Sequence, residues 1–187
     1  VGGDAMSEGS GTNNVAVGTN SLWYGNGDGN VAVGANSNYR DKTLTNFTNT
    51  TAVGFSSYAS GDGSVAIGYN SYANSGCAIG NQAQATNSGM AIGTEANASS
   101  TVSIAIGLGA EASDSVALAI GRGSAAKRPE TVAIGSAALA DGTASIAIGL
   151  NSSSSNSSSV ALGDSAYVMR SGGIAVSYTH LTLPTIR

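Results

Sequence analysis

Few side chains in this sequence could make or break a bond. His180 is the only histidine and Cys77 the only cysteine in 187 residues. A Ser–His–Asp relay needs a histidine held between nucleophile and carboxylate. A zinc centre needs several Cys, His or carboxylate ligands. His180 lies in a terminal stretch set aside below, so neither arrangement is available. Gly27-Asp28-Gly29 and Gly61-Asp62-Gly63 look like pieces of a calcium-binding nonapeptide, but that motif must recur every nine residues, and here it does not. No GxxxxGK[ST] phosphate loop is present. The expectation is a chain that is not an enzyme, with no catalytic residue, no metal and no cofactor.

Contact chemistry is what remains. Trp23, Tyr24, Tyr39 and Phe47 fall in two stretches that are longer than the rest of the pattern described below. Aromatic side chains in loops bury much area with few rotors, which suits recognition of a partner. These four are the candidate ligand-binding residues. The competing reading is that they close one end of the fold, because repeat arrays need atypical terminal units.

The elements that would position them come from an internal repeat. A glycine closes an apolar tetrad at Gly18, Gly34, Gly54, Gly68, Gly80, Gly93, Gly107, Gly121, Gly135, Gly149 and Gly163. The intervals are 16, 20, 14, 12 and 13 residues, then 14 throughout. One unit reads S-V-A-I-G-x-x-A-x-A-x-x-x-x. Fourteen residues are too few for a helix pair, and helix-period spacing is absent. They suffice for two short strands and two corners. Branched Val and Ile suit a pleated surface, the fixed glycine marks one corner, and Asn, Asp, Ser and Gly clusters supply the other. The predicted fold is all-β, a parallel β-roll or β-solenoid of about eleven 14-residue coils. At about 4.8 Å per coil, these make a rod of roughly 50 Å.

The two strands differ. The second, x-A-x-A, alternates as a strand with one wet face does, whereas V-A-I is apolar throughout, as in a strand covered on both faces. Stacked coils would expose an apolar stripe that another copy of the chain would have to cover. We place Val and Ile inside and the central alanines Ala66, Ala105, Ala119, Ala133 and Ala147 at the subunit contact; the reverse assignment stays open.

Composition supports this class. Only 10% of residues are charged while 41% are hydrophobic, which is unlike a disordered chain. Two prolines among 187 residues exclude collagen and Pro-rich disorder. The net charge of −4 carries no basic run, so no nucleic-acid partner is expected. Apolar runs are too short to span a bilayer, so no direct membrane insertion is expected of this segment. Cys77 and Met90 replace the leading Val of their tetrads as in-register hydrophobes. Ser152 and Ser154 fall at the small positions of an ordinary coil, Lys127-Arg128-Pro129-Glu130 forms a solvated corner, and Tyr58, Tyr72 and Tyr167 pack on the wet face.

The chain ends VSYTHLTLPTIR, where the Gly/Ala/Ser texture stops. Val176 to Thr185 resembles one translated frame of a transposase-type sequencing adaptor, so 176–187 is read as a non-native tail. The gene is expected to continue past Ala175, and a start at Val1 implies a cut there too. The expected division is a partial coil or cap over 1–13, the roll over 14–175, and the tail over 176–187.

The unit Ser64-Val65-Ala66-Ile67-Gly68, followed by Ser71 and Ala73, resembles the head repeat of trimeric autotransporter adhesins, the YadA-like head, from about Asn14 to Ala175. The resemblance implies a left-handed roll, a homotrimer, and exposure at a bacterial surface for attachment to host extracellular-matrix or cell-surface molecules. Similar repeats occur in phage tail fibres, so a receptor-binding fibre segment is the alternative. An ice-binding solenoid fits less well, because the wet column is too irregular.

Overall fold

The computed structural model describes residues 2–8, 10–24, 26–39 and 47–177. Among the described residues every regular element is a β-strand of two or three residues. Twelve three-residue strands, from Val15–Val17 to Ile174–Val176, form one parallel sheet in chain order. Nine two-residue strands, from Tyr58–Ala59 to Tyr167–Val168, form a second. Equivalent positions pair from coil to coil: Ile104, Ala105 and Ile106 lie beside Leu118, Ala119 and Ile120, and Asn97 and Ala98 beside Glu111 and Ala112. This is the expected parallel β-solenoid. A twelfth tetrad, beyond the eleven marked by glycine, ends on Ser177, whose amide donates to Leu162 O at 2.8 Å. Residues 178–187, His180 among them, lie outside the described residues.

The glycine column has two physical causes. Gly107 has φ +134°, a conformation that L side chains rarely adopt. A Cβ there would also lie 2.4 Å from Gly121 O. The coils turn against one another backbone to backbone, with no room for a methyl group.

Inside the roll only small side chains fit. Ala66, Ala105, Ala119, Ala133 and Ala147 are fully buried within their own chain. They therefore cannot form the subunit contact, and the face assignment is corrected. Successive side chains of a strand point to opposite faces, so in V-A-I the alanine points one way and its neighbours the other. The gap between the sheets admits the alanine. Facing it are Ala110, Ala112, Ser124 and Ala126, also fully buried. Buried serines replace alanine without leaving a hydroxyl unpaired: Ser57, Ser71, Ser124 and Ser152 each donate to the glycine carbonyl three residues earlier, at 3.0–3.1 Å. Ser152 and Ser154 are both buried, as expected.

Val and Ile are displaced to the outer face of the first sheet, with Cys77 and Met90 in register among them. The first two coils depart from the pattern at the second strand. Leu22 and Asn38, expected on the wet column, are fully buried, each with a left-handed backbone (φ 49° and 47°). Asn38 Nδ2 donates to Thr50 Oγ1 at 3.0 Å, and the Leu22 amide donates to Ser37 O in the next coil at 2.9 Å.

Two measurements test this description. Ala119→Val should destabilise the fold by about 1–3 kcal/mol through overpacking, lowering the midpoint of denaturant unfolding. Val116 is a β-branched residue at φ 56°, where an L side chain costs about 1–2 kcal/mol. Val116→Asn should therefore raise the melting temperature, and an unchanged or lower value would contradict the strain.

Candidate binding site at the N-terminal coils

Eight of the ten aromatic residues lie between Trp23 and Tyr72, and the coil register sorts them into groups. Trp23 meets Tyr24 at a ring-centroid distance of 6.1 Å and Tyr39 edge-on at 6.0 Å. Three of the four expected contact residues thus come together. Phe47 does not line the groove described below: it sits in the corner leading back into the first sheet, where its carbonyl accepts Asn30 Nδ2 at 3.0 Å. Trp23 Nε1 is buried without a hydrogen-bond partner among the described residues, while Tyr39 is 48% exposed. The tryptophan is thus the packed end of the cluster and the tyrosine its open end. Arg40, Asp41 and Lys42, which share the longer interval, lie outside the described residues.

In-register stacking makes two further pairs. Phe55 and Tyr69, each following a closing glycine, stack at 5.8 Å, and Tyr58 and Tyr72 stack at 5.7 Å on the second sheet. Both are near-parallel, within 14°, as coil-over-coil repetition imposes. Tyr58 and Tyr72 are cross-strand packing partners, as expected.

Between these groups runs an open groove of about 490 Å³ lined by Asn20, Asn36, Tyr39, Ser56 and Tyr58. Asn20, Asn36 and Ser56 occupy the same place in successive coils, two residues after the glycine, with φ of 54°, 54° and 51°. Asn tolerates that left-handed corner better than most residues. Asn20 Nδ2 donates to Asn36 Oδ1 at 3.1 Å. Among the described residues no charged side chain lines the groove. Sequence reasoning reached Tyr39 and passed over Asn20, Asn36 and Ser56, which read as turn formers. Their common offset from the glycine, beside aromatics, was the available signal.

The two Gly-Asp-Gly stretches have a structural use. Asp28 Oδ1 accepts from Thr12 N at 2.6 Å and Thr12 Oγ1 at 2.9 Å. Asp62 repeats this with Thr48 N at 2.7 Å and Thr48 Oγ1 at 3.2 Å. Each carboxylate ties its corner to the preceding coil, and the Thr12 amide and hydroxyl hold the Asp28 carboxyl below its ordinary pKa. Among the described residues no group of His, Cys, Asp and Glu could hold a metal ion. Cys77 is half-buried, and burial pushes its thiol upward, away from the reactive thiolate.

Residues 48–71, 87–110, 103–124 and 140–166 match the family model for the YadA head domain repeat. These stretches are similar to YadA head repeats. Of the groove residues, Ser56 and Tyr58 fall within the first matched stretch, whereas Asn20, Asn36 and Tyr39 precede it. Among solved structures, the crystal structure of the collagen-binding domain of the Yersinia adhesin YadA is similar to this chain. It shares 21% identity over 94% of this chain and 74% of that one, with a TM-score of 0.37. No curated protein matches the chain.

The Asp28 clamp predicts a pH response in the coils that precede the YadA-like repeats. Its folded pKa is depressed, so its contribution is present above the unfolded value and lost as pH falls through the folded one. Hydrogen-exchange protection of the Thr12 amide should persist above about pH 4 and decline below it. In Asp28→Ala it should be absent at every pH.

Proposed function

We propose that this chain is the head of a trimeric autotransporter adhesin, held outside a bacterial cell and mediating attachment to host matrix or cells. The observation that carries the reading is the outer face of the first sheet. It presents two columns of Val, Ile and Leu, with Val15, Val17, Ile67 and Leu162 each at least 36% exposed, and the coils over 48–71, 87–124 and 140–166 match YadA head repeats.

Twelve strands at about 4.8 Å spacing and three residues across give a face about 53 Å by 10 Å, on the order of 500 Å² in projection. That stands in the upper part of the range that monomers expose, and here it is almost wholly aliphatic. A sister copy carries the same flat, uncharged columns and so covers them without burying a charge. Three copies, the number the family resemblance implies, place the three faces around one axis and leave the second sheets and the corners outward. Those outward surfaces are the ones that can meet a host. Among the described residues no helix is long and apolar enough to cross a membrane.

The test is the oligomeric state together with attachment. In sedimentation at micromolar concentration the chain should run as a trimer. Ile106→Lys combined with Ile134→Lys, which leaves the alanine core untouched, should run as a monomer. Attachment to immobilised matrix proteins, collagen among them, should fall by about a hundredfold in that variant through lost avidity. A wild-type monomer would overturn the assembly. A trimer that attaches to neither matrix nor host cells would overturn the adhesive role.

A further inference from the structure

We propose that the groove of the first three corners binds a neutral saccharide of a host-surface glycan. The proposal rests on the adhesive reading for its setting and adds the class of ligand. A volume of about 490 Å³ lies in the range of small-molecule sites, roughly 300–1,000 Å³. The lining consists of two carboxamides, one hydroxyl and two phenols. None of these described lining residues is charged, so they offer a phosphate, a metal ion or an acidic peptide no counter-charge against its desolvation. A polyhydroxylated ring fits this chemistry, because it offers hydroxyl edges and an apolar C–H face.

The polar groups are arranged to meet such an edge. The Asn20–Asn36 hydrogen bond uses one donor of Asn20 and one acceptor site of Asn36. Asn20 Oδ1 then remains as an acceptor and Asn36 Nδ2 as a donor. The Ser56 hydroxyl follows one coil further on and makes no hydrogen bond to another described residue. Acceptor, donor and hydroxyl therefore stand in a row at about 4.8 Å per coil. Tyr39, 48% exposed, and Tyr58 supply ring surface for the C–H face. Left-handed geometry alone does not demand this set. The same corner further along holds Gln82, Glu95, Gly109, Gly123 and Ala137 at φ 55–62°, and there no aromatic residue stands at the adjoining corner or wet-face position. None of the five lining residues belongs to the Val/Ile columns, so assembly through that face leaves the groove open.

The test is an array of immobilised neutral oligosaccharides containing galactose, N-acetylglucosamine and fucose, with sialylated and sulfated counterparts, probed with the labelled full chain. The expected result is binding to a subset of neutral glycans. Tyr39→Ser and Asn36→Asp should each weaken it by about tenfold or more, the scale of one lost ring contact or hydrogen bond. Asp tolerates the left-handed corner, so Asn36→Asp changes the chemistry and keeps the shape. Tyr167→Ser, on the same wet face far from the groove, should bind as wild type, and thermal melts should show all three folded. A blank neutral array, binding confined to charged glycans, or full binding by both groove variants would overturn the proposal. Attachment to matrix or cells with a blank neutral array would overturn this site alone. Glycan binding that both variants weaken would support the site even where matrix attachment fails.

Discussion

The glycine column determines how closely one coil can follow the last, and with it the thickness of the roll. At Gly107 the backbone of the next coil stands where a Cβ would be, 2.4 Å from Gly121 O, and the same contact recurs at Gly121 and Gly135. The turn is made against bare backbone, and across the narrow roll only methyl and hydroxymethyl groups fill the gap between the sheets. Alanine and serine at the inward positions follow from that spacing. The serines cost little because the turn itself presents a carbonyl to each hydroxyl, as at Ser124 and Gly121, 3.0 Å apart.

A core of methyl groups has an energetic consequence. Each inward alanine removes about one methyl group from water, worth on the order of 0.8 kcal/mol. Each outward Val or Ile has several times that available and leaves part of it unrealised while the chain stands alone. The apolar surface that in most domains drives folding here lies on the outside. Folding and assembly are coupled as a result: whatever covers the Val/Ile columns stabilises the coils by mass action, and a charge placed among them disturbs both. Parallel pairing strengthens the coupling, since each coil contributes only short strands and relies on its neighbours for a continuous sheet.

Much of this was legible in the sequence because the repeat is short and the glycine is in register. The period, the two strands, the parallel order and the need for a partner on the V-A-I sheet all follow from residues such as those of Ile104–Gly107. The orientation of that strand was not legible. Alternation guarantees that Ala105 and Ile106 point oppositely, but which points inward depends on the width of the gap, and that width is a property of the stacked turns. Bulk suggested Ile inside; the alanines Ala66 and Ala105 are fully buried, while Ile67 is among the exposed hydrophobics. The N-terminal site was half legible for a related reason. Trp23, Tyr24 and Tyr39 stand out as aromatics in long intervals, whereas Asn20, Asn36 and Ser56 look like ordinary turn residues until the coils are stacked and their common offset aligns them. Leu22 and Asn38 stand four residues after their glycines, a place that is partly exposed in later coils at Asn97 and Glu111, yet both are fully buried.

The same constraints determine where recognition can reside. In a regular coil the inward positions must be small, the Val/Ile positions must stay apolar, and the glycine admits no substitute. Only the corners and the outer face of the second sheet are left free, and over most of the rod they carry unrelated side chains such as Gln84, Asn97, Glu111 and Leu139. Irregular coils relax the constraint. The intervals of 16 and 20 residues around Gly34 lengthen the path between sheets while keeping the glycine column intact, as Gly18 stacked beneath Gly34 and Gly34 beneath Gly54 attest. In the longer coil Tyr39, at a place that is buried in later coils such as Ala73 and Ala98, is 48% exposed and lines the groove with the corner asparagines. The groove thus lies on the coils whose sequence interval exceeds fourteen residues, over a glycine column that is unbroken.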